Sequence, residues 1–90
     1  MIYFTVKYRT RTDIIVTMLE AARYGAIKTK IMYASYLSSQ QLRTYLKLGT
    51  TNGLLEYDSK EERYSTTEKG FRLLELYNNL CRLEVAPALS

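Results

Sequence analysis

The stretch KTKIMYASYLSSQQLRTYL, from Lys28 to Leu46, constrains the fold more than any other part of this 90-residue chain. It contains two short helical patterns, and the pair Ser38-Ser39 interrupts them. Ser38 lies three residues before Gln41. At this spacing a capping residue and a side chain in the first helical turn satisfy each other's free backbone N–H groups. The sequence therefore predicts two helices joined by a tight turn, one over about residues 28–36 and one that starts at Ser39.

Two further elements are predicted on the N-terminal side of this unit. Apolar and other residues alternate over Met1–Tyr8, and this period of two, with its β-branched and aromatic residues, predicts a short strand. Thr12 predicts the N-cap of a first helix, and Gly25 predicts its end. The apolar residues between them recur at helical spacing, namely Ile14, Ile15, Met18, Leu19 and Ala22.

On the C-terminal side the pattern predicts a hairpin and a long helix. The segments Leu54–Tyr57 and Arg63–Ser65 flank the polar tip DSKEE, as two short strands around a turn would. Asn52-Gly53 closes the third helix, which is the one that starts at Ser39. The last turn of this helix contains Gly49 and is expected to fray or stop early, because its residues form helix poorly. Thr67 or Ser65 can cap the final helix, which starts at Glu68.

The final helix has a narrow polar stripe and a wide apolar surface. Its polar residues step by four and three positions, at Glu68, Arg72, Glu75, Asn79 and Arg82. Phe71 and Leu74 are expected to pack on the first helix and the hairpin. The remaining apolar residues predict an exposed strip that a second copy of the chain covers, formed by Leu73, Leu76, Tyr77, Leu80 and Leu83. Cys81 lies beside this strip, and two interpretations stay open for it: a small apolar residue of the helix, or a partner in an intermolecular disulfide across the dimer.

The order of elements predicts the fold class. Strand, three helices, hairpin and long helix together describe an α+β, mainly α fold, a winged helix-turn-helix with an extra N-terminal strand and a long C-terminal helix. We expect residues 1–90 to form a single domain of this kind. Within it, residues 12–66 would form the helix-turn-helix and wing, and residues 67–84 the dimerisation helix.

The charge distribution and the polar face of the third helix predict a polyanionic partner. Residues 1–53 contain eight Lys/Arg and two acidic residues, a net charge of +6, whereas residues 54–90 have a net charge of −2. Gln and Arg side chains on an exposed helix suit base edges in the major groove of DNA, and Lys and Thr suit phosphates. The predicted DNA-binding residues are Lys28, Thr29, Lys30, Ser39, Gln40, Gln41, Arg43, Thr44 and Lys47. An ordinary solvated helix face is the alternative.

The sequence lacks the residues that several other classes of function need. The chain has no histidine and only one cysteine, so the sequence predicts neither a zinc site nor a cofactor, and we do not expect an enzyme. No apolar run approaches the roughly 20 residues needed to cross a bilayer, and we expect a cytoplasmic protein without a membrane partner.

Three segments in order resemble the small archaeal winged-helix DNA-binding proteins: GAIKTKIMYASYLSSQQLRTYL, GLLEY and YSTTEKGFRLLELYNNL. The matching residues are Gly25, Lys28, Thr29, Ile31, Met32, Tyr33, Leu37, Tyr45, Leu46, Gly53, Leu54, Thr67, Lys69 and Gly70. The resemblance covers roughly residues 12–83, and the stretch KLGTTNG departs from the family's leucine-rich helix. It implies a winged helix, DNA binding through the third helix, and dimers made by the closing helix.

The sequence thus predicts a sequence-specific duplex DNA-binding protein that regulates transcription as a homodimer. Two alternatives stay open at this point. Winged helices also serve as protein-interaction adaptors, which the broad apolar face of the last helix would suit. A non-specific chromatin protein would share the basic charge, and only the ratio of specific to non-specific affinity would distinguish it.

Overall fold

A computed structural model describes residues 10–89 of the chain, with side chains up to residue 81. The described elements are α1 (Arg11–Ala21), α2 (Lys28–Ser35), α3 (Ser39–Thr51), β1 (Leu55–Asp58), β2 (Arg63–Thr66) and α4 (Glu68–Leu89). Helices dominate, and the two strands form one small antiparallel sheet, which confirms the predicted winged-helix fold. The strand expected over Met1–Tyr8 lies outside the described residues.

Helix α1 begins two residues earlier than predicted, because Thr10 and not Thr12 is its N-cap. The Thr10 hydroxyl accepts a hydrogen bond from the Asp13 N–H, and the Asp13 carboxylate accepts one from the Thr10 N–H, both at 3.0 Å. This reciprocal cap needs an acceptor side chain three residues after the cap. Thr12 has only Ile15 at that position, so the prediction of Thr12 was wrong for a local reason.

The turn between α2 and α3 has the predicted construction. Helix α2 ends at Ser35, one residue before the predicted end, and Tyr36 adopts the left-handed conformation with a φ of 55°. The Ser38 hydroxyl then accepts from the Gln41 N–H at 3.2 Å, and the Gln41 side chain accepts from the Ser38 N–H at 3.0 Å. The capping box predicted at the start of α3 is therefore confirmed.

The prediction that α3 frays or stops early is wrong, because it continues to Thr51. Gly49 is buried against β1, where an added Cβ would lie 2.9 Å from Leu55 Cδ1. The Thr50 hydroxyl also donates to the Leu46 carbonyl at 3.0 Å. Packing on β1 and these side-chain hydrogen bonds outweigh the weak helix propensity of the last turn.

The sheet connects the wing to the helices. Strands β1 and β2 pair with Leu55 opposite Thr66, and Asp58 opposite Arg63, next to the hairpin tip. On the other side of β2, Ala26 and Tyr64 exchange two backbone hydrogen bonds of 2.8 Å. The loop after α1 thus serves as a short third partner of the sheet and holds the wing against the start of α2.

The core lies where α1, α2, α3, β1 and α4 meet. Leu42 and Leu46 of α3 are buried, as predicted from its apolar face. The buried apolar residues are Ile15, Val16, Met18, Leu19, Ala22, Ala26, Ile31, Leu37, Leu42, Leu46, Leu55 and Leu74. Burying one face of α3 in this way leaves its opposite face in solvent.

Helix α4 packs on the core over its first turns and projects beyond it. Its cap is Thr67, whose hydroxyl accepts from the Gly70 N–H at 3.1 Å. As predicted, Leu74 is buried, and Phe71 is half-buried with the Arg23 guanidinium 5.5 Å from its ring centre. The helix ends at Leu89, beyond the predicted residue 84.

The predicted exposed strip of α4 needs a correction. Leu73 and Tyr77 are half-buried against the core, because this part of α4 lies along α1 and the Tyr77 hydroxyl donates to Asp13. Leu76 and Leu80, which are 57% and 54% exposed, do form part of an open apolar surface. The Leu83 side chain lies outside the described part of α4.

Candidate nucleic-acid interface

The exposed face of α3 consists of polar and cationic side chains. Gln40, Arg43, Thr44 and Lys47 follow one another at helical spacing and are all exposed. On the opposite face of α3, Leu42 and Leu46 are buried in the core. Because a rotation of α3 about its axis would expose these leucines, the polar face stays turned toward solvent. This face can therefore present amides and cations together to a large partner.

Two of the predicted contact residues, Gln41 and Thr44, also form hydrogen bonds within α3 or to its N-cap. The Gln41 side-chain oxygen accepts the Ser38 N–H, so only its NH₂ group can donate outward while that hydrogen bond lasts. The Thr44 hydroxyl donates to the Gln40 carbonyl at 3.3 Å. Ser39, the first residue of α3, is exposed and directly follows the N-cap residue Ser38. We infer that Gln40, Arg43 and Lys47 have the greatest freedom to reach a ligand.

A surface pocket of about 280 Å³ joins the starts of α2 and α3. The residues that line it are Lys28, Thr29, Met32, Ser39, Leu42 and Arg43. The fold thus brings four of the predicted contact residues together from two helices. Their positions in the sequence alone did not predict that they share a pocket. Lys30 is exposed on the next position of α2 and is not one of the lining residues.

The start of α2 lacks the side-chain cap that the other described helices have. Its N-cap is Ile27, and no side chain there accepts a hydrogen bond from the first turn. Helix N-termini carry a partial positive charge that favours anions, and free N–H groups can bind a phosphate directly. With Lys28 in the same turn, this end of α2 has the chemistry to attract an anion.

The charged side chains around this surface are positive. Residues 21–55 contain five Lys/Arg and no Asp or Glu. One of the five, Arg23, is engaged by Glu20 at 2.8 Å, and the hydrogen bond to this carboxylate raises the pKa of Arg23. The remaining four, on α2 and α3, are Lys28, Lys30, Arg43 and Lys47. No carboxylate from their own helices competes with an external polyanion for them.

Arg11 belongs to the same surface although sequence reasoning did not assign it. A second pocket, of about 370 Å³, is lined by Arg11, Thr44, Tyr45, Lys47, Leu48 and Thr51. Arg11 and Lys47 are separated by 36 sequence positions, and only the tertiary fold brings them to one pocket. No local pattern could have found this pair. Its only signal in the sequence was the cluster of basic residues before α1.

The wing tip is less suited to an anion. The Asp58 carboxylate accepts from the N–H groups of Lys60 at 2.9 Å and Glu61 at 3.3 Å, which shapes the turn. Lys60 and Arg63 are exposed, but Glu61 and Glu62 lie between them in the same turn. These carboxylates make the wing tip less attractive to a phosphate than the starts of α2 and α3.

The described residues contain neither a metal-binding cluster nor a helix that could span a membrane. No group of three His, Cys, Asp or Glu side chains comes together there in a way that could hold a metal ion. Between residues 10 and 89, no helix combines the length and the apolar character needed to cross a bilayer. Cys81 is half-buried on α4 and forms no disulfide within this part of the chain.

Comparison with known proteins identifies the family. None of the curated protein sequences matches this chain. Among solved structures, a DNA-binding protein from Sulfolobus solfataricus, Sso10a-2, has a similar fold, with a TM-score of 0.75 and 20% sequence identity. The similarity covers 84% of this chain and 82% of that one. The family model described as winged helix-turn-helix matches residues 8–85. The resemblance read from the sequence motifs is confirmed, and the chain belongs to the winged helix-turn-helix family.

Proposed function

We propose that this protein binds duplex DNA sequence-specifically and regulates transcription as a homodimer. The observation that carries the proposal is the pocket shared by Lys28, Thr29, Ser39 and Arg43, beside the exposed polar face of α3. A DNA strand along this pocket would meet cations and an uncapped helix N-terminus. The DNA-binding activity given for the similar Sulfolobus protein supports the same reading.

In this proposal α3 enters the major groove. Gln40 and Arg43 face outward near its start, where Gln can pair with adenine and Arg with guanine through two hydrogen bonds each. Thr44 and Lys47 would reach the phosphates of one strand. Lys28, Thr29 and Lys30 would contact the phosphates on the other side of the groove. Ser39 and the Gln41 NH₂ group would lie close to the same DNA backbone as these three residues.

Dimer formation would use α4. Leu76 and Leu80 lie one turn apart and are each more than half exposed on a helix of 22 residues. A second copy that presents the same residues would bury this surface in a two-fold interface. The two α3 helices would then read half-sites separated by about one helical turn of DNA or a multiple of it.

A binding titration with fluorescently labelled duplexes tests DNA recognition. We expect the affinity to fall steeply with salt, with a log–log slope of about −0.9 for each phosphate contacted. Arg43→Ala and Lys47→Ala should weaken binding strongly, whereas the matched control Lys60→Ala on the wing should have little effect. A selected site should compete far better than random duplex, and equal competition would indicate a non-specific chromatin protein.

The same titration distinguishes the adaptor alternative. If the double variant of Arg43 and Lys47 bound DNA as well as the unchanged protein, DNA would not be the partner of α3. Sedimentation tests the dimer separately. The unchanged protein should sediment as a dimer at tens of micromolar, and Leu76→Glu with Leu80→Glu should convert it to a monomer. A monomeric unchanged protein at that concentration would contradict the paired arrangement.

A further inference from the structure

The exposed face of α3 has a pocket on each of its two sides. Arg43 lines the pocket toward the start of α2, and Leu48 lines the pocket of about 370 Å³ that contains Arg11. Arg43 and Leu48 are five positions apart, which places them about 140° apart around the helix. Gln40 and Lys47 lie between these two directions and are exposed. The face proposed to enter the major groove is therefore bordered by α2 on one side and by the start of α1 on the other.

Each of these two sides has a cation that comes from a neighbouring helix. Lys28 lines the pocket on the α2 side, and Arg11 lines the pocket on the α1 side. The major groove of DNA is about 12 Å wide, and the phosphates of the two strands form its two edges. A helix in the groove therefore has one strand on either side. Lys28 and Arg11 are placed to meet different strands.

The Arg11 guanidinium is available to bind an anion. Arg11 is exposed in the first turn of α1, and among residues 10–89 no carboxylate forms a salt bridge with it. Asp13 is close in sequence but lies about 200° around α1 from Arg11, and its carboxylate accepts hydrogen bonds from Thr10 and Tyr77. A planar guanidinium matches the geometry of a phosphate, to which it can donate two hydrogen bonds at once.

The floor of the Arg11 pocket suits the sugar that adjoins a phosphate. Leu48 is 37% exposed there, on a helix whose other exposed side chains are mostly polar, and the half-buried Tyr45 lines the same pocket. In a nucleic-acid backbone, the C–H groups of a deoxyribose lie next to each phosphate. Because burying apolar surface is favourable, a deoxyribose against Leu48 would stabilise a phosphate bound to Arg11.

We propose that Arg11 binds a backbone phosphate of the DNA strand on its side of α3, with Leu48 against the adjoining deoxyribose. This is the strand that Thr44 and Lys47 would also reach, and it lies across the groove from the strand bound by Lys28. The contact rests on the proposed DNA binding and adds to it a residue from outside the helix-turn-helix. Phosphate contacts on both sides would fix the orientation of α3 in the groove, because such contacts set how a protein sits on the duplex.

A salt titration of duplex binding tests the phosphate contact. Arg11→Ala should lower the affinity about tenfold at low salt and make the log–log slope shallower by about 0.9, the change for one lost phosphate. Arg11→Lys keeps the positive charge and should restore most of the slope. The matched control is Arg72→Ala, which removes an exposed arginine of α4 that lines neither pocket and should change neither quantity. If Arg11→Ala behaved like Arg72→Ala, the proposal would be overturned.

Uncharged phosphates identify the strand that Arg11 contacts. Duplexes of a selected site would each carry one methylphosphonate in place of a phosphate, moved stepwise along both strands of one half-site. The phosphate bound by Arg11 is the one whose neutralisation weakens binding of the unchanged protein but has little further effect on Arg11→Ala. Lys28→Ala identifies the phosphate of Lys28 in the same way. We expect the two phosphates on opposite strands, and finding both on one strand would contradict the arrangement.

Two controls accompany these measurements. The Tm of Arg11→Ala should match that of the unchanged protein, because the Arg11 side chain is exposed, so a loss of binding would not reflect unfolding. The double variant Arg43→Ala with Lys47→Ala separates this inference from the proposed function. If the double variant weakened binding and Arg11→Ala did not, the Arg11 contact would be wrong and DNA binding through α3 would stand. If neither weakened binding, both would be wrong.

Discussion

The Tyr77 hydroxyl on α4 donates a hydrogen bond of 2.5 Å to the Asp13 carboxylate in the first turn of α1. The second oxygen of the same carboxylate accepts the N–H of Thr10 and so caps α1. One carboxylate thus closes the start of α1 and holds the long helix against it. This hydrogen bond, together with burial, raises the pKa of Tyr77 to about 12.

Replacing Tyr77 by Phe should destabilise the protein. The change removes one hydrogen bond to a charged group at a half-buried site, and we expect a loss of about 1.5 kcal/mol in the free energy of unfolding. Urea unfolding followed by circular dichroism measures it. Tyr36→Phe is the matched control, because Tyr36 is 85% exposed, and it should leave the midpoint unchanged.

The contribution of this hydrogen bond should depend on pH in the alkaline range. The folded-state pKa of about 12 lies above the ordinary tyrosine value of 10.0, so the stabilisation is fully present below pH 10.0. It should be lost as the pH rises from about 10 to about 12, because an ionised Tyr77 no longer donates and is repelled by Asp13. The difference in Tm between the unchanged protein and Tyr77→Phe should shrink over this range. A constant difference would contradict the assignment.

Leu46→Ala should be strongly destabilising. Leu46 is 4% exposed, and truncation of a buried leucine costs about 2–5 kcal/mol. In a domain of this size that is a large part of the total stability. Chemical unfolding should show the loss, and Ile27→Ala, at a 45% exposed apolar position, should cost far less. Equal losses would mean that α3 is rotated relative to the arrangement described.

Ser35→Ala should stabilise the protein. The Ser35 hydroxyl is buried in α2, and within the described residues its oxygen has no hydrogen-bond partner. Removing a buried unsatisfied polar group should gain about 1 kcal/mol. Thr66→Val is the contrasting variant, since the buried Thr66 hydroxyl donates to the Leu19 carbonyl at 2.7 Å. Calorimetry should therefore show a higher Tm for Ser35→Ala and a lower Tm for Thr66→Val.

Gly70→Ala should destabilise the attachment of α4. An added Cβ would lie 2.5 Å from the Leu54 carbonyl oxygen and 2.6 Å from Thr66 Cγ2, so backbone would have to move. Overpacking of this kind costs about 1–3 kcal/mol. Asn78→Ala is the control, because Asn78 is exposed on the same helix. A Gly70→Ala variant as stable as the control would show that α4 can shift without cost.

Local rules determined much of this protein from the sequence alone. The turn between α2 and α3 follows from Ser38 and Gln41, because a capping box depends only on residues three apart. The outward polar face of α3 follows from its buried leucines, since a helix period separates the two faces. Motif order was sufficient to identify the winged helix. These features need no knowledge of how distant segments approach each other.

Only the tertiary structure decided the features that depend on such approaches. Helix α3 reaches Thr51 because Gly49 packs on Leu55, against its local propensity. Tyr77 is covered because α4 lies along α1 at that level, although its helical pattern predicted exposure. Arg11 of α1 lines a pocket together with Thr44 and Lys47 of α3, although these residues are far apart in the sequence. Periodicity shows which face of a helix is apolar, but how much of that face is covered depends on where the neighbouring helices cross.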